Sequence, residues 1–189
     1  MEDQAEHYYK EGSVFFKNGH YPEALASCNK ALAIRPDYAD AWNGRGVALA
    51  ELKQPAEALA SYDKALAIRP DYADAWNNRG WVLVELGRHD EAVASYDKGL
   101  ALNPDDASAW FIRGAELGNL GRHTEALASF DKAIAINPDD AYTWNFRGVA
   151  LHELERYAEA ITSYDKALAI KPEYDEVKQN RKMALKKQT

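Results

Sequence analysis

Cysteine is nearly absent from this sequence. Cys28 stands alone in 189 residues, so no intramolecular disulfide can close, which fits a reducing compartment. No run approaches the ~20 apolar residues that a membrane span needs. The opening MEDQAEHYYKEG has neither the basic nor the apolar stretch of a secretory signal. These absences point to a cytoplasmic protein. Basic charge is also short. With 23 Lys and Arg against 30 Asp and Glu the net charge is −7, the wrong sign for neutralising phosphates, so neither nucleic acid nor a membrane is an expected partner. A cationic peptide remains compatible with this charge. Catalytic signatures are missing too: there is no HExxH, no GxSxG, no glycine-rich phosphate loop and no CxxC. No catalytic residue, cofactor or metal site is therefore expected, and the chain does not read as an enzyme.

What the sequence does contain is a period. Trp42, Trp76, Trp110 and Trp144 are 34 residues apart, as are Arg45, Arg79, Arg113 and Arg147 and the glycines that follow them, Gly46, Gly80, Gly114 and Gly148. Gly12 extends the glycine series one step earlier, and Pro36, Pro70, Pro104, Pro138 and Pro172 carry the spacing to the other end. The period never slips, so no domain is grafted between units. It divides the chain into a tail (1–4), five repeats (5–38, 39–72, 73–106, 107–140 and 141–174) and a final segment (175–189).

Each repeat reads as two amphipathic helices. In the second repeat these run roughly from Asp40 to Leu52 and from Ala56 to Ile68, with the break between them marked by Pro55 here and by Gly87 and Gly121 later. An Asp after each repeat's Pro, such as Asp71, is placed to cap the next helix, and the Pro ends the helix before it. Gly46 and Ala58 are positions where a larger side chain would hold backbones apart. Tyr62, Tyr96, Phe130 and Tyr164 fill the gap between repeats. Cys28 occupies that aromatic position in the first repeat and reads as a small apolar core residue rather than a reactive thiol. The last segment offers a narrow apolar strip of Val177, Met183, Ala184 and Leu185, as a capping helix must.

The pattern W-N-x-R-G-x-x-L-x-E-L followed by E-A-x-A-S-Y-D-K-A-L-A-I-x-P-D resembles the tetratricopeptide repeat, over about residues 5 to 187. Its wording is most similar to arrays common in bacteria, cyanobacteria included. Two departures are regular: Arg stands for Leu before the Gly, and Leu or Phe for the Tyr after it. The resemblance implies an all-α fold, a right-handed α-solenoid or superhelix of helix-turn-helix repeats, with first helices lining a concave groove. It also implies a scaffold that holds an extended peptide or a helix of a partner protein.

Family precedent places first-helix positions 2, 5, 9, 12 and 13 on the groove. Position 2 supplies Asp40, Asp74 and Tyr142. Position 5 supplies Tyr9, Asn43, Asn77, Phe111 and Asn145. Position 9 supplies Ser13, Val47, Trp81 and Val149, and position 13 supplies Glu51 and Glu85. Asn78 and Phe146 adjoin them at position 6. Asn43, Asn77 and Asn145 share one register and are expected to form a ladder of amides that bonds a peptide backbone. The carboxylates favour Lys or Arg in the ligand, and Phe111, Tyr142 and Phe146 favour an apolar anchor. The resemblance also implies a test: the carboxylate clamp by which co-chaperone members grip acidic chaperone tails needs Lys, Asn, Asn, Lys and Arg where Tyr9, Ser13, Gly44, Asp74 and Asn78 stand, so it is not expected.

Two further readings stay open. The periodic Arg either pairs with the recurring Asp63, Asp97, Asp131 and Asp165 in a ladder, or snorkels to the groove rim with its stem packed. The chain, instead of holding a peptide, stacks head to tail through an acidic N-terminus (Glu2, Asp3, Glu6) and a basic last helix (Lys178, Arg181, Lys182, Lys186, Lys187). His7 and His152 lie apart from His20, His89 and His123. The last three fall at or near the turns between helices and read as solvent-exposed, too distant from one another to share a metal.

Overall fold

The computed structural model describes residues 3–188. Met1 and Glu2 of the expected tail, and Thr189 of the last segment, lie outside the described residues. Within them are eleven helices and no strand: α1 (Gln4–Lys17), α2 (Tyr21–Ile34), α3 (Ala39–Glu51), α4 (Pro55–Ile68), α5 (Ala73–Glu85), α6 (His89–Leu102), α7 (Ala107–Asn119), α8 (His123–Ile136), α9 (Ala141–Glu153), α10 (Tyr157–Ile170) and α11 (Asp175–Gln188). From α3 onward the odd-numbered helices begin 34 residues apart. The fold is all-α and of the solenoid class.

The chain forms two compact units, one ending at Leu102 and the other beginning at Asn103. In the first, α1 pairs with α2, α3 with α4 and α5 with α6, while α2 packs on α3 and α4 on α5. In the second, α7 pairs with α8 and α9 with α10. There α8 packs on α9, and α11 lies against α10 and α9, where the first helix of a further repeat would lie.

Two of the periodic residues, Trp and Pro, are each other's partners. The indole N–H of Trp42 donates to the carbonyl of Pro36 at 2.8 Å, and Trp76, Trp110 and Trp144 donate to Pro70, Pro104 and Pro138 at 2.9, 2.9 and 2.8 Å. A half-buried indole needs an acceptor, and the carbonyl beside the helix-ending proline supplies one. The periodic glycine is fixed by the aromatic. A Cβ on Gly46 would stand 2.5 Å from the Tyr62 ring, and one on Gly148 2.5 Å from Tyr164, so only glycine lets the ring reach the helix backbone. Tyr62, Tyr96, Phe130 and Tyr164 are all buried.

Three local expectations are corrected. The helix cap lies one residue after the expected Asp. Asp106 accepts from the N–H of Ala109, and Asp140 from those of Tyr142 and Thr143, whereas Tyr38 and Tyr72 at that position make no side-chain cap. The tail is partly helical, because Asp3 caps α1 through the Ala5 N–H and the helix starts at Gln4. His89 and His123 are not freely exposed; each opens a second helix and is half-buried.

The turn inside each repeat needs one left-handed residue. Gly19, Gly87 and Gly121 supply it without strain, but Lys53 and Glu155 adopt it at φ 60° and 58°. A side chain there costs about 1–2 kcal/mol, and glycine returns part of that as unfolded-state entropy. Glu155→Gly is expected to raise the unfolding free energy by about 0.5–1 kcal/mol in urea titration. An unchanged or lower midpoint would show that the turn carries no such strain.

Candidate functional site

The periodic arginine joins neighbouring repeats. Arg79, on α5, donates through Nε to Asp63 on α4 at 2.8 Å and through Nη1 to Ser95 on α6 at 2.6 Å. Arg147 does the same with Asp131 and Ser163, at 2.7 Å each. In the first pair of repeats Asn29 stands at the Asp position and Arg45 bonds it at 2.9 Å. Arg181 on α11 reaches back to Asp165, which marks the last helix as the start of one more repeat. Each accepting serine passes its own proton to the backbone carbonyl one turn before it, as Ser95 does to Glu91 at 2.9 Å. The guanidinium also lies over the indole one turn earlier, 5.9 Å from the Trp76 ring. Of the two readings left open, the ladder to the preceding repeat's Asp is the one observed for Arg79 and Arg147, each with the arginine mostly buried and the aspartate half-exposed.

With the repeats joined this way, the first helices leave a hollow between neighbours. It recurs in one register, bounded by positions 9, 12 and 13 of one repeat, positions 6 and 9 of the next, and the aromatic position of the second helix. Between the first and second repeats it is about 200 Å³ and bounded by Ser13, Phe16, Lys17, Cys28, Gly44 and Val47, with Tyr9, Gly12 and Ala24 completing the wall. Between the second and third it is about 110 Å³, and the corresponding residues are Val47, Ala50, Glu51, Tyr62, Asn78 and Trp81, with Lys53 and Glu85 at its edge. In the second unit it is about 250 Å³, bounded by Ala115, Gly118, Asn119, Phe130, Phe146 and Val149, with His123, Ala150 and Glu153. One backbone geometry thus carries three chemistries: apolar beside a lysine, acidic beside an indole, and phenylalanine-rich beside a carboxylate.

The expected groove residues divide accordingly. Tyr9, Ser13 and Val47 meet at the first hollow. Val47, Glu51, Asn78, Trp81 and Glu85 meet at the second, where Trp81 is 52% exposed. Phe146 and Val149 meet at the third, and Phe111 packs edge-on to Phe146 with centroids 5.2 Å apart. Tyr142 is exposed but lies apart from these. It packs on Tyr174 and accepts a hydrogen bond from Lys171 at 3.0 Å. Asp74 is exposed. Asp40 is bonded to Arg69, so its charge is met within the chain.

The asparagine ladder is corrected. Asn145 is buried, within 3.5 Å of Glu176 and accepting from Asn180 at 3.3 Å. Asn43 donates to the Tyr72 hydroxyl at 3.3 Å and accepts from Asn78 at 3.2 Å. Asn77 turns toward α6, where a Cβ on Gly99 would come within 2.1 Å of its amide oxygen. These amides are taken up between helices, not offered to a ligand. Cys28, Gly44, Gly118, His123 and Phe130 belong to the hollows and were not among the expected groove residues, whereas Lys17 stands at position 13, a groove position. For two of them the signal was there as a departure from the period: Cys28 for Tyr or Phe, and Gly44 for Asn, Ile or Phe.

Burial pushes the Cys28 thiol up to about 11, with Arg45 opposing only in part, so it is protonated at neutral pH and packs as an apolar group. Burial also raises Tyr62 and Tyr164. Among the described residues no cluster of His, Cys, Asp and Glu is arranged to hold a metal, and no helix is long and apolar enough to cross a membrane.

A family profile described as tetratricopeptide repeat matches four overlapping windows, residues 9–73, 54–107, 77–141 and 111–175. The chain belongs to the tetratricopeptide repeat family. Members of that family are typically non-catalytic protein-interaction scaffolds. Solved structures are similar over most of the chain. For YrrB, described as a tetratricopeptide repeat protein with an unusual peptide-binding site, identity is 27%, coverage 93% of this chain and 90% of that one, and TM-score 0.84. For a MamA protein identity is 21%, coverage 93% and 96%, and TM-score 0.83. For residues 41 to the end of MamA from Desulfovibrio magneticus RS-1 the values are 21%, 93% and 99%, and 0.83. The MamA likenesses show the fold. A curated relative, an uncharacterized protein of Methanocaldococcus jannaschii, is 41% identical over 46 residues, which are 24% of this chain. The aligned segment spans about half of that relative, 54%.

Proposed function

We propose that this tetratricopeptide repeat chain holds an extended segment of a partner protein against its first helices, with the partner's side chains entering the hollows between repeats. The observation that carries this reading is the recurrence of one hollow in one register with a different lining each time. Such a surface reads side chains in sequence without an enclosed pocket. In the second hollow, Glu51 beside the exposed ring of Trp81 suits a Lys or Arg, through carboxylate attraction and cation–π contact, while Glu85 is already met by the exposed Lys53 at 3.7 Å. In the third, Phe130, Phe146 and Val149 suit a large apolar side chain. The peptide-binding site named for YrrB supports a peptide as the ligand.

Head-to-tail stacking has less support. Asp3 is paired with Arg35, Glu6 with Lys10, Lys178 with Glu173 and Asp175, and Arg181 with Asp165, so much of the charge that would drive it is met within the chain.

The test is selection from a random peptide library displayed on phage, followed by affinity measurement on variants. Selected peptides are expected to carry both basic and large apolar residues. Trp81→Ala and Phe146→Ala should each weaken them ten-fold or more, while Ile34→Ser, on a second helix, should leave them unchanged. Loss with Ile34→Ser and indifference to the other two would place the binding face elsewhere.

A further inference from the structure

Three departures from the period converge on the first hollow. Cys28 stands where the other repeats carry Tyr62, Tyr96, Phe130 and Tyr164, and Gly44 stands where Asn78, Ile112 and Phe146 stand. Lys17 stands where Glu51, Glu85 and Glu153 stand. All three line one cavity of about 200 Å³; its counterparts hold about 110 Å³ beside Tyr62 and about 250 Å³ beside Phe130. The small glycine that makes room for the ring is nevertheless kept. A Cβ on Gly46 would meet the Tyr62 ring at 2.5 Å; the nearest atoms to one on Gly12 are the Ala24 carbonyl oxygen at 3.2 Å, the Ser27 Cβ at 3.3 Å and Cys28 Sγ at 3.4 Å, a close helix approach with no ring among the three. The first repeat therefore keeps the geometry that admits a ring without supplying one. The wall is mostly apolar, and water in it finds few partners, so an apolar group that displaces that water gains affinity. At the mouth, the position that is Glu in the second, third and fifth repeats and Asn119 in the fourth has become the exposed ammonium of Lys17.

We infer that this cavity takes the aromatic ring of a partner peptide that carries a carboxylate beside it, the ring entering over Gly12 and Gly44 and the carboxylate meeting Lys17. The assignment rests on the peptide-holding reading above and adds register to it. An acidic-aromatic pair at this repeat, with a basic residue at the next hollow, fixes which way and where the segment lies.

Isotope-labelled protein is titrated with two probes and followed by the amide signals of Gly12, Ser13, Gly44 and Val47. One probe is the acetylated, amidated peptide Gly-Phe-Asp-Gly; the other is 3-phenylpropanoate, with 3-phenylpropanamide as its uncharged counterpart. Saturable shifts at these four residues are expected with the peptide and the acid, and at least five-fold weaker binding with the amide. Cys28→Tyr restores the ring of the other repeats and should abolish both responses while unfolding at the same temperature as the parent or higher. Lys17→Glu, an exposed change that leaves packing alone, should weaken both probes at least five-fold. Shifts that persist in Cys28→Tyr would overturn the assignment. So would the absence of any saturable response in the parent alongside a more stable Cys28→Tyr, which would make the cavity a packing gap. Binding of the free acid without the peptide would overturn the peptide as occupant. None of these readouts uses the Trp81 or Phe146 faces, so the wider peptide-holding reading stands or falls separately.

Discussion

Tyr62→Ala is expected to lower the unfolding free energy by about 3–5 kcal/mol, in the range found for removing large buried rings. The ring is 2% exposed and rests on Gly46, whose absent side chain leaves it no slack. It also lines the hollow shared with Val47 on α3 and Asn78 and Trp81 on α5, so its loss enlarges a gap between repeats as well as within one. Stability of a repeat array is a sum of repeat and interface contributions. The variant should therefore also broaden the denaturant transition as the first unit loosens. Circular dichroism through a guanidinium titration checks this. A loss below about 1 kcal/mol would mean that the neighbours close over the gap and that the ring does not fix the spacing of repeats.

Arg79→Ala is expected to cost about 2 kcal/mol. Hydrogen bonds to charged groups contribute about 1.5–3 kcal/mol, and this guanidinium makes two, in opposite directions along the array. The Asp63 carboxylate is half-exposed, so water screens that half of the link. Asp63→Ala should cost less than about 1 kcal/mol, and most of the arginine's contribution comes from the more enclosed Ser95 side. Arg79→Lys should recover less than half of the loss, because a single ammonium cannot donate to both partners while lying flat over Trp76. Equal losses for Arg79→Ala and Asp63→Ala would instead put the whole effect in the ion pair.

The fold was legible because one short pattern repeats without slippage. Every inward-facing choice, such as Gly46 with Tyr62, is made again 34 residues later, so the sequence reports the same packing several times. The Trp–Pro pairing shows how much further it was legible than it was read. Both residues stood out by spacing, but their six-residue offset says nothing about an indole reaching a carbonyl until the helix geometry is known. The cap was misplaced by one residue for a similar reason. Asp71 and Asp106 both follow a proline closely, and only the path of the turn decides which one faces the free N–H groups.

The candidate site was harder to read. Position 5 of a first helix does face the neighbouring repeat, yet Asn43 lies within reach of position 6 of the next repeat, Asn78, as Asn145 does of Asn180. Register gives a direction but not what already occupies it, so amides taken up between helices looked like amides free for a ligand. The hollows went unnoticed because glycine and alanine form them: Gly44, Gly118 and Ala115 matter through the side chains they lack. Trp81, Phe146 and Val149, which do line hollows, stood out in the sequence because they are large residues on a surface-facing register.

The most direct measurement maps a selected peptide onto the two kinds of helix by amide shift perturbation in labelled protein. The account predicts shifts concentrated at Val47, Asn78 and the Trp81 indole in the first unit and at Phe146 and Val149 in the second, with α4 and α10 little changed. Shifts concentrated instead on the exposed faces of the second helices, with the Trp81 indole unmoved, would contradict it.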